Sequence, residues 1–287
     1  MEIIVTDTLT AMADLLEQPL ERRPDAVREI MAPTRSSIPM PGDIVDIHHN
    51  GGGFRVDADD PRYLPAVRRM IEQDVLGQVR HALTLSAERL SGAKQPDLVK
   101  VMLMLGNPDN EHLMRISGGY YGMGGGSEWL YLLAWPSDEV IGRIGALAVH
   151  EFHHLVRFSN VVWDPVAVTV GEHVIAEGLA EAFVRELLGP EAMGPWSSMV
   201  TGEEYERAYE LITANFDLAG MMNTPAYVLG DSATRNFGQE PRGIPDMAGY
   251  AVGLNLVDRA LTAAGLSAAE ATVLPAAELL RRAGIRP

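Results

Sequence analysis

The hydrophobic positions of this chain change period along its length, and the changes mark out its elements. Glu2 to Val5 reads as a short strand, and helical spacing follows around Leu9–Leu16 and Asp25–Met31. The proline- and serine-rich stretch from Pro33 to Gly42 reads as a loop. Asp43–His48 and Phe54–Asp57, flanking Asn50-Gly51-Gly52-Gly53, predict a β-hairpin. Asp60-Pro61 opens one long helix to about Leu90, with Leu64, Val67, Met70, Ile71, Val75, Val79 and Leu83 on its apolar face. Val99–Leu105 and Trp129–Trp135 read as strands, the latter preceded by the glycines at 118, 119, 122 and 124–126. Glycine in such a place marks a bulge or a close approach of another backbone. Beyond residue 136 the pattern is almost wholly helical.

The first helical run there is apolar on nearly all sides: Val140, Ile141, Ile144, Leu147, Ala148 and Val149 surround a single charge, Arg143, and Leu155, Val156 and Phe158 continue the apolar pattern further on. That is the pattern of a buried helix. Pro136-Ser137-Asp138-Glu139 supplies its start, with Ser137 as N-cap. A second helix contains His173, Glu177 and Glu181, four apart and on one face, and Gly189-Pro190 stops it. Glu203–Asn215 predicts a helix, residues 223–245 a long loop, and Asp246–Ala264 an amphipathic helix. Ser267-x-x-Glu270 is a capping box, and Pro275–Ala283 closes the helical part. The expected class is α+β: an N-terminal α/β lobe with a small sheet over residues 1–136, then a mainly helical part over 137–287, both around one cleft.

Inside the first buried helix lies His150-Glu151-Phe152-His153-His154. Imidazoles four apart on a helix reach the same point. Polar groups in so apolar a segment are costly unless something satisfies them, and a metal ion is the obvious partner. Zinc takes imidazole nitrogen, and a catalytic site needs three protein ligands and one open position. Glu151 then stands where a general base belongs. The third ligand must come from elsewhere. A glycine three residues after His154 and a histidine six after it would define metzincins, but Arg157 and Asn160 occupy those positions. A cysteine ligand, as in peptide deformylases, is impossible because the chain has no cysteine. The next helix offers Glu177, Glu172 or His173.

Glu177-Gly178-Leu179-Ala180-Glu181 resembles the gluzincin stretch in which a glutamate binds zinc and a later acid orients the first histidine. The two motif helices, with Gly249-Tyr250-Ala251-Val252-Gly253, are together similar to the YjaZ-like bacterial family of predicted zinc-dependent proteases. The resemblance implies a zincin-like fold and a metallopeptidase with one Zn2+ on His150, His154 and Glu177. It also implies Glu151 as base, Glu181 orienting His150, and Tyr250 as oxyanion donor, with Tyr227, His173 and His153 as alternatives. Residues 155–176 separate the second histidine from Glu177, against eighteen or nineteen in the common pattern, so His173 stays open as third ligand. Zincins hold an extended substrate against an edge strand just upstream of this helix, which gives the glycine-rich segment before Trp129 a candidate role. A protein that binds peptide around zinc without cleaving it is the alternative function.

Composition narrows the partners. Over 287 residues, 39 acidic against 23 basic side chains give a formal charge of −16, unsuited to nucleic acid or an anionic membrane surface. A peptide or protein substrate remains. The start Met-Glu-Ile-Ile-Val-Thr-Asp lacks a signal-peptide pattern, and the absence of cysteine excludes disulfides, so a cytoplasmic protein is expected.

Overall fold

The computed structural model describes residues 1–37, 41–124, 128–236 and 238–285. The fold is mixed α+β, with a small four-stranded sheet, and divides into two compact units. One comprises Met1–Leu85 and Pro96–Leu155, the other Ser86–Gln95 and Val156–Pro287.

The sheet of the first unit is built from β1 (Glu2–Val5), β2 (Leu98–Leu105), β3 (Tyr120–Met123) and β4 (Trp129–Ala134), in the order β1-β2-β4-β3. Val101 to Leu105 are all fully buried, as an unbroken apolar run demands of a central strand covered on both faces. β1 and β4 pair with it in parallel, Ile3 opposite Val99 and Leu103 opposite Leu132. β3 runs antiparallel on the outer side of β4, Tyr120 opposite Ala134 and Met123 opposite Tyr131, and so forms one edge of the sheet. Helix α1 (Thr8–Leu16) is capped by Asp7, whose side chain accepts from the Thr10 amide, and turns Leu9, Met12 and Leu15 inward. Helix α2 (Arg23–Met31) follows.

Two expectations fail in this unit. The hairpin at residues 43–57 is instead helix α3 (Ile44–Asn50), followed by irregular chain. Asp43 caps it by accepting from the Val45 amide, and Ile44, Val45 and His48 fall on one buried side. The long helix from residue 60 is two helices, α4 (Tyr63–Glu72) and α5 (Val75–Arg89). They are separated at Asp74, which adopts a left-handed φ of 48° while its carboxylate accepts from the Gly77 amide. The loop expected at 33–42 begins as a 3-10 turn, and residues 38–40 lie outside the described residues. Ser137 caps as expected, accepting from the Val140 amide, but it starts only the short α6 (Asp138–Ile141). Gly142 and Arg143 separate α6 from α7 (Ile144–Phe158), which carries the motif.

The second unit is helical. Thr169 accepts from the Glu172 amide and so caps α8 (Val170–Leu188), which Gly189 ends at a φ of 96°. Helix α9 (Gly202–Thr213) follows. The loop expected at 223–245 contains two short helices, α10 (Pro225–Val228) and α11 (Asp231–Asn236). Then come α12 (Ala248–Ala264), α13 (Ala268–Ala271) with its capping box, and α14 (Ala276–Arg282). Where α8 crosses α12, backbone meets backbone. A Cβ on Gly178 would lie 2.7 Å from Leu254 N and closer still to the Gly253 carbonyl group, and one on Gly253 would press on the Val174 carbonyl. Gly249 is likewise held against Val228 Cα, at 2.5 Å from where its Cβ would be. The glycines of the 249–253 stretch are there to let backbones touch.

A buried arginine ties α8 to the C-terminal helices. Arg157 is fully buried and donates to the Thr272 carbonyl at 3.1 Å, the Leu274 carbonyl at 3.0 Å and Glu172 Oε1 at 2.5 Å. Glu172 Oε2 in turn accepts from the Ala276 amide at 3.1 Å. Desolvation lowers the arginine's pKa, against the stabilising pull of Glu172. Among the described residues no helix is long and apolar enough to cross a membrane.

Candidate metal centre

Helix α7 buries its motif completely, as its all-round apolar surface requires: His150, Glu151, His153 and His154 are each 5% exposed or less. The Nε2 atoms of His150 and His154 lie 3.1 Å apart, one helical turn bringing both rings to the same point. Zinc–imidazole bonds of 2.0–2.1 Å from both nitrogens would meet there at an angle of roughly 100°, close to tetrahedral. Glu177 of α8 supplies a carboxylate, and among the described residues this is the one group of three acidic or histidine side chains whose ligand atoms all lie within 4.8 Å of one another. Two imidazoles and a carboxylate, all buried, are a donor set that fits zinc.

The rival third ligands have other partners. Glu172 holds Arg157 and the Ala276 amide. His173 is not a member of the group of three; its Nε2 stands 3.4 Å from Glu177 Oε1 and its Nδ1 2.9 Å from Thr224 Oγ1. Arg157 and Asn160, which stand where metzincins need glycine and histidine, are structural: Asn160 bridges the Lys94 backbone and the Val156 carbonyl.

Glu151 is hemmed in by the edge strand. A Cβ on Gly122 would sit 2.5 Å from Glu151 Cγ and 2.7 Å from its Oε1, and one on Gly124 would sit 3.1 Å from Oε2. Bare backbone therefore passes over this carboxylate where any side chain would displace it. The glycine-rich stretch signalled such an approach in the sequence, without saying to what. Residues 125–127 of it lie outside the described residues.

Glu181, one turn beyond Glu177, accepts from the Gly194 amide at 2.9 Å, Trp196 Nε1 at 2.8 Å and Ser197 Oγ at 2.7 Å. Tyr250 is half-buried near the start of α12, its ring 5.8 Å from that of Trp196. Tyr227 is buried in α10. Trp163 and Thr224, which both touch His173, carry no signal in the sequence. Neither belongs to a motif, and both reach His173 only through the folding of the 159–169 and 219–224 segments.

A buried His-Glu-x-x-His helix and a carboxylate from the next helix define a candidate metal-dependent protein, and comparison with known sequences agrees. Residues 79–281 match the family described as Predicted Zn-dependent protease (DUF2268), and the chain belongs to that family. It is similar to YjfC of Bacillus subtilis (strain 168), with 33% identity over 187 residues, 65% of this chain and 62% of YjfC. It is also similar to YjaZ of the same organism, with 33% identity over 146 residues, 50% of this chain and 52% of YjaZ. The chain thus spans less than two thirds of the length of these curated relatives. No solved structure matches it.

Proposed function

We propose that this chain is a zinc-dependent metallopeptidase of the gluzincin type on a zincin-like scaffold, with one zinc ion held by His150, His154 and Glu177. The observation that carries this reading is the convergence of those three buried ligands within a region that matches the zinc-protease family. Bound zinc supplies Lewis acidity, polarising the scissile carbonyl and easing the loss of a proton from water. Glu151 takes that proton as the water attacks and returns it to the leaving amine. The backbone at Gly122 and Gly124 leaves the Glu151 carboxylate little room to turn away, so it is aimed in advance. Tyr250 donates to the developing oxyanion. Glu181, itself fixed by three donors, orients His150 and its tautomer. An extended peptide adds to β3, the edge strand that lies against Glu151. The substrate is a peptide or protein, met in the cytoplasm, and the charge of −16 supports neither nucleic acid nor membrane as partner.

The test is elemental analysis of the purified protein together with cleavage of a peptide library, on the natural chain and on Glu151→Gln. About one zinc in both, with cleavage lost in the variant, is expected. Absence of zinc after metal is added, or full activity in zinc-loaded Glu151→Gln, refutes the reading. Tight binding of peptides that are never cut points instead to a zinc-containing peptide-binding protein.

A further inference from the structure

We infer that Thr224 and His173 form a positioning relay for Glu177, in which the Thr224 hydroxyl donates to His173 Nδ1 and His173 Nε2–H donates to Glu177 Oε1. The inference rests on the zinc-ligand role proposed for Glu177. His173 precedes Glu177 by one helical turn on α8, so its ring reaches the carboxylate along the helix surface. Its Nε2 is 3.4 Å from Glu177 Oε1, a little longer than a formed N–H···O bond, and its Nδ1 is 2.9 Å from Thr224 Oγ1.

The direction of the relay follows from the chemistry of the groups. An ionised carboxylate only accepts, so the nitrogen facing it carries the hydrogen. A neutral imidazole then presents a lone pair on its other nitrogen, which only a donor satisfies, and the Thr224 hydroxyl donates to it in preference to Met221 Sδ, a weak acceptor 4.0 Å away. Thr224 is fully buried, so its rotor cannot turn to bulk water instead. The ring plane is fixed from a third side. Trp163 meets His173 edge-on, with centroids 5.6 Å apart and planes at 87°, and Trp163 is itself stacked on Phe158 at 3.7 Å.

Trp163 lies in the connection between α7 and α8, the segment that is longer than the common gluzincin spacing. That connection supplies the indole that braces His173. The relay's effect is to leave the Glu177 carboxylate less ordering to undergo on metal binding, once the 3.4 Å approach of His173 Nε2 to Oε1 closes to a hydrogen bond.

The experiment measures zinc affinity by competition with a chromophoric chelator, with thermal unfolding of the metal-free protein as a check on folding. The variants are His173→Phe, which keeps an aromatic ring against Trp163, and Thr224→Val and Thr224→Ser. His173→Phe is expected to bind zinc about 10–100-fold more weakly, as loss of a ligand's hydrogen-bond partner typically does. Thr224→Val is expected to lose about fivefold, the worth of one net hydrogen bond, and Thr224→Ser to behave as the natural chain. Where His173→Phe does not fold, the valine and serine pair carries the same test. Unchanged affinity in His173→Phe or in Thr224→Val, or a Thr224→Ser as weak as valine, overturns the relay. A loss in His173→Phe as complete as in His154→Ala makes His173 a ligand and also overturns it. If the natural chain takes up no zinc, the metallopeptidase reading falls and takes the relay with it; if the natural chain binds tightly and so do the variants, the relay alone falls.

Discussion

Substituting Gly178 by alanine puts two helix effects in opposition, and the structure decides which wins. In an exposed helix the change is favourable by about 1 kcal/mol, because glycine is the more flexible in the unfolded chain. Here the new methyl carbon would lie 2.7 Å from Leu254 N, at least 0.7 Å inside ordinary van der Waals contact, and nearer still to the Gly253 carbonyl. The obstructing atoms are all backbone of α12, so no side chain can swing aside and α8 must move off α12. Overpacking of this kind costs about 3 kcal/mol, which leaves a net loss of about 2 kcal/mol. For a protein of this size that corresponds to a fall of roughly 3 °C in Tm. Thermal unfolding followed by circular dichroism measures it, with Gly145→Ala on α7 as control. There the added Cβ meets Ala82 Cβ at 3.5 Å and the Gln78 carbonyl at 3.7 Å, ordinary contacts, and stability should hold. Gly253→Ala strikes the same crossing, so the double variant should lose less than the sum of the single losses. A Gly178→Ala protein as stable as the natural chain would refute the claim that backbone contact sets this crossing.

Three further outcomes follow from the site and its surroundings. Gly122→Ala pushes a methyl group against Glu151, so zinc content should be unchanged while kcat falls tenfold or more at nearly constant KM; an unaltered kcat would remove the edge strand from the positioning of the base. Tyr250→Phe should lower kcat about 10²–10³-fold if its hydroxyl serves the oxyanion, and leave zinc affinity alone. His48 gives the pH dependence of stability. Burial pushes its pKa down to about 3 in the folded chain, so between about 6.5 and 3 the unfolded chain holds a proton that the folded chain refuses. Stability is therefore lost as pH falls, by about 2 kcal/mol between pH 7 and pH 5, and urea unfolding at the two values should show the loss shrink in His48→Leu.

What could be read from the chain divides along the line between local and tertiary causes. The helix at 144–158 and the one at 170–188 were legible because an all-round apolar run and a glycine–proline stop are local signals. Ser267 and Glu270 form their capping box for the same reason. The hairpin at 43–57 was misread because a run of glycines resembles a turn, whereas Asp43 and the spacing of Ile44, Val45 and His48 start a helix that uses those glycines to end. The break at Asp74 depends on one residue taking a left-handed conformation, which hydrophobic spacing does not record. β3 is four residues long with glycine inside it, and only its pairing with β4 makes it a strand. The two histidines and Glu177 were nameable from spacing and family likeness together. Thr224 was not, since 51 residues separate it from the imidazole it meets.

The packing of Trp163 has an optical consequence. Of the four indoles in the chain, at residues 129, 135, 163 and 196, this one has its edge contact with the imidazole that stands beside Glu177. Its emission depends on its contact with that imidazole, so an event that moves the Glu177 carboxylate is felt at the indole through the ring. The chain thus carries its own fluorophore one residue away from Glu177, so that zinc uptake at the proposed site should be visible in real time on unlabelled protein.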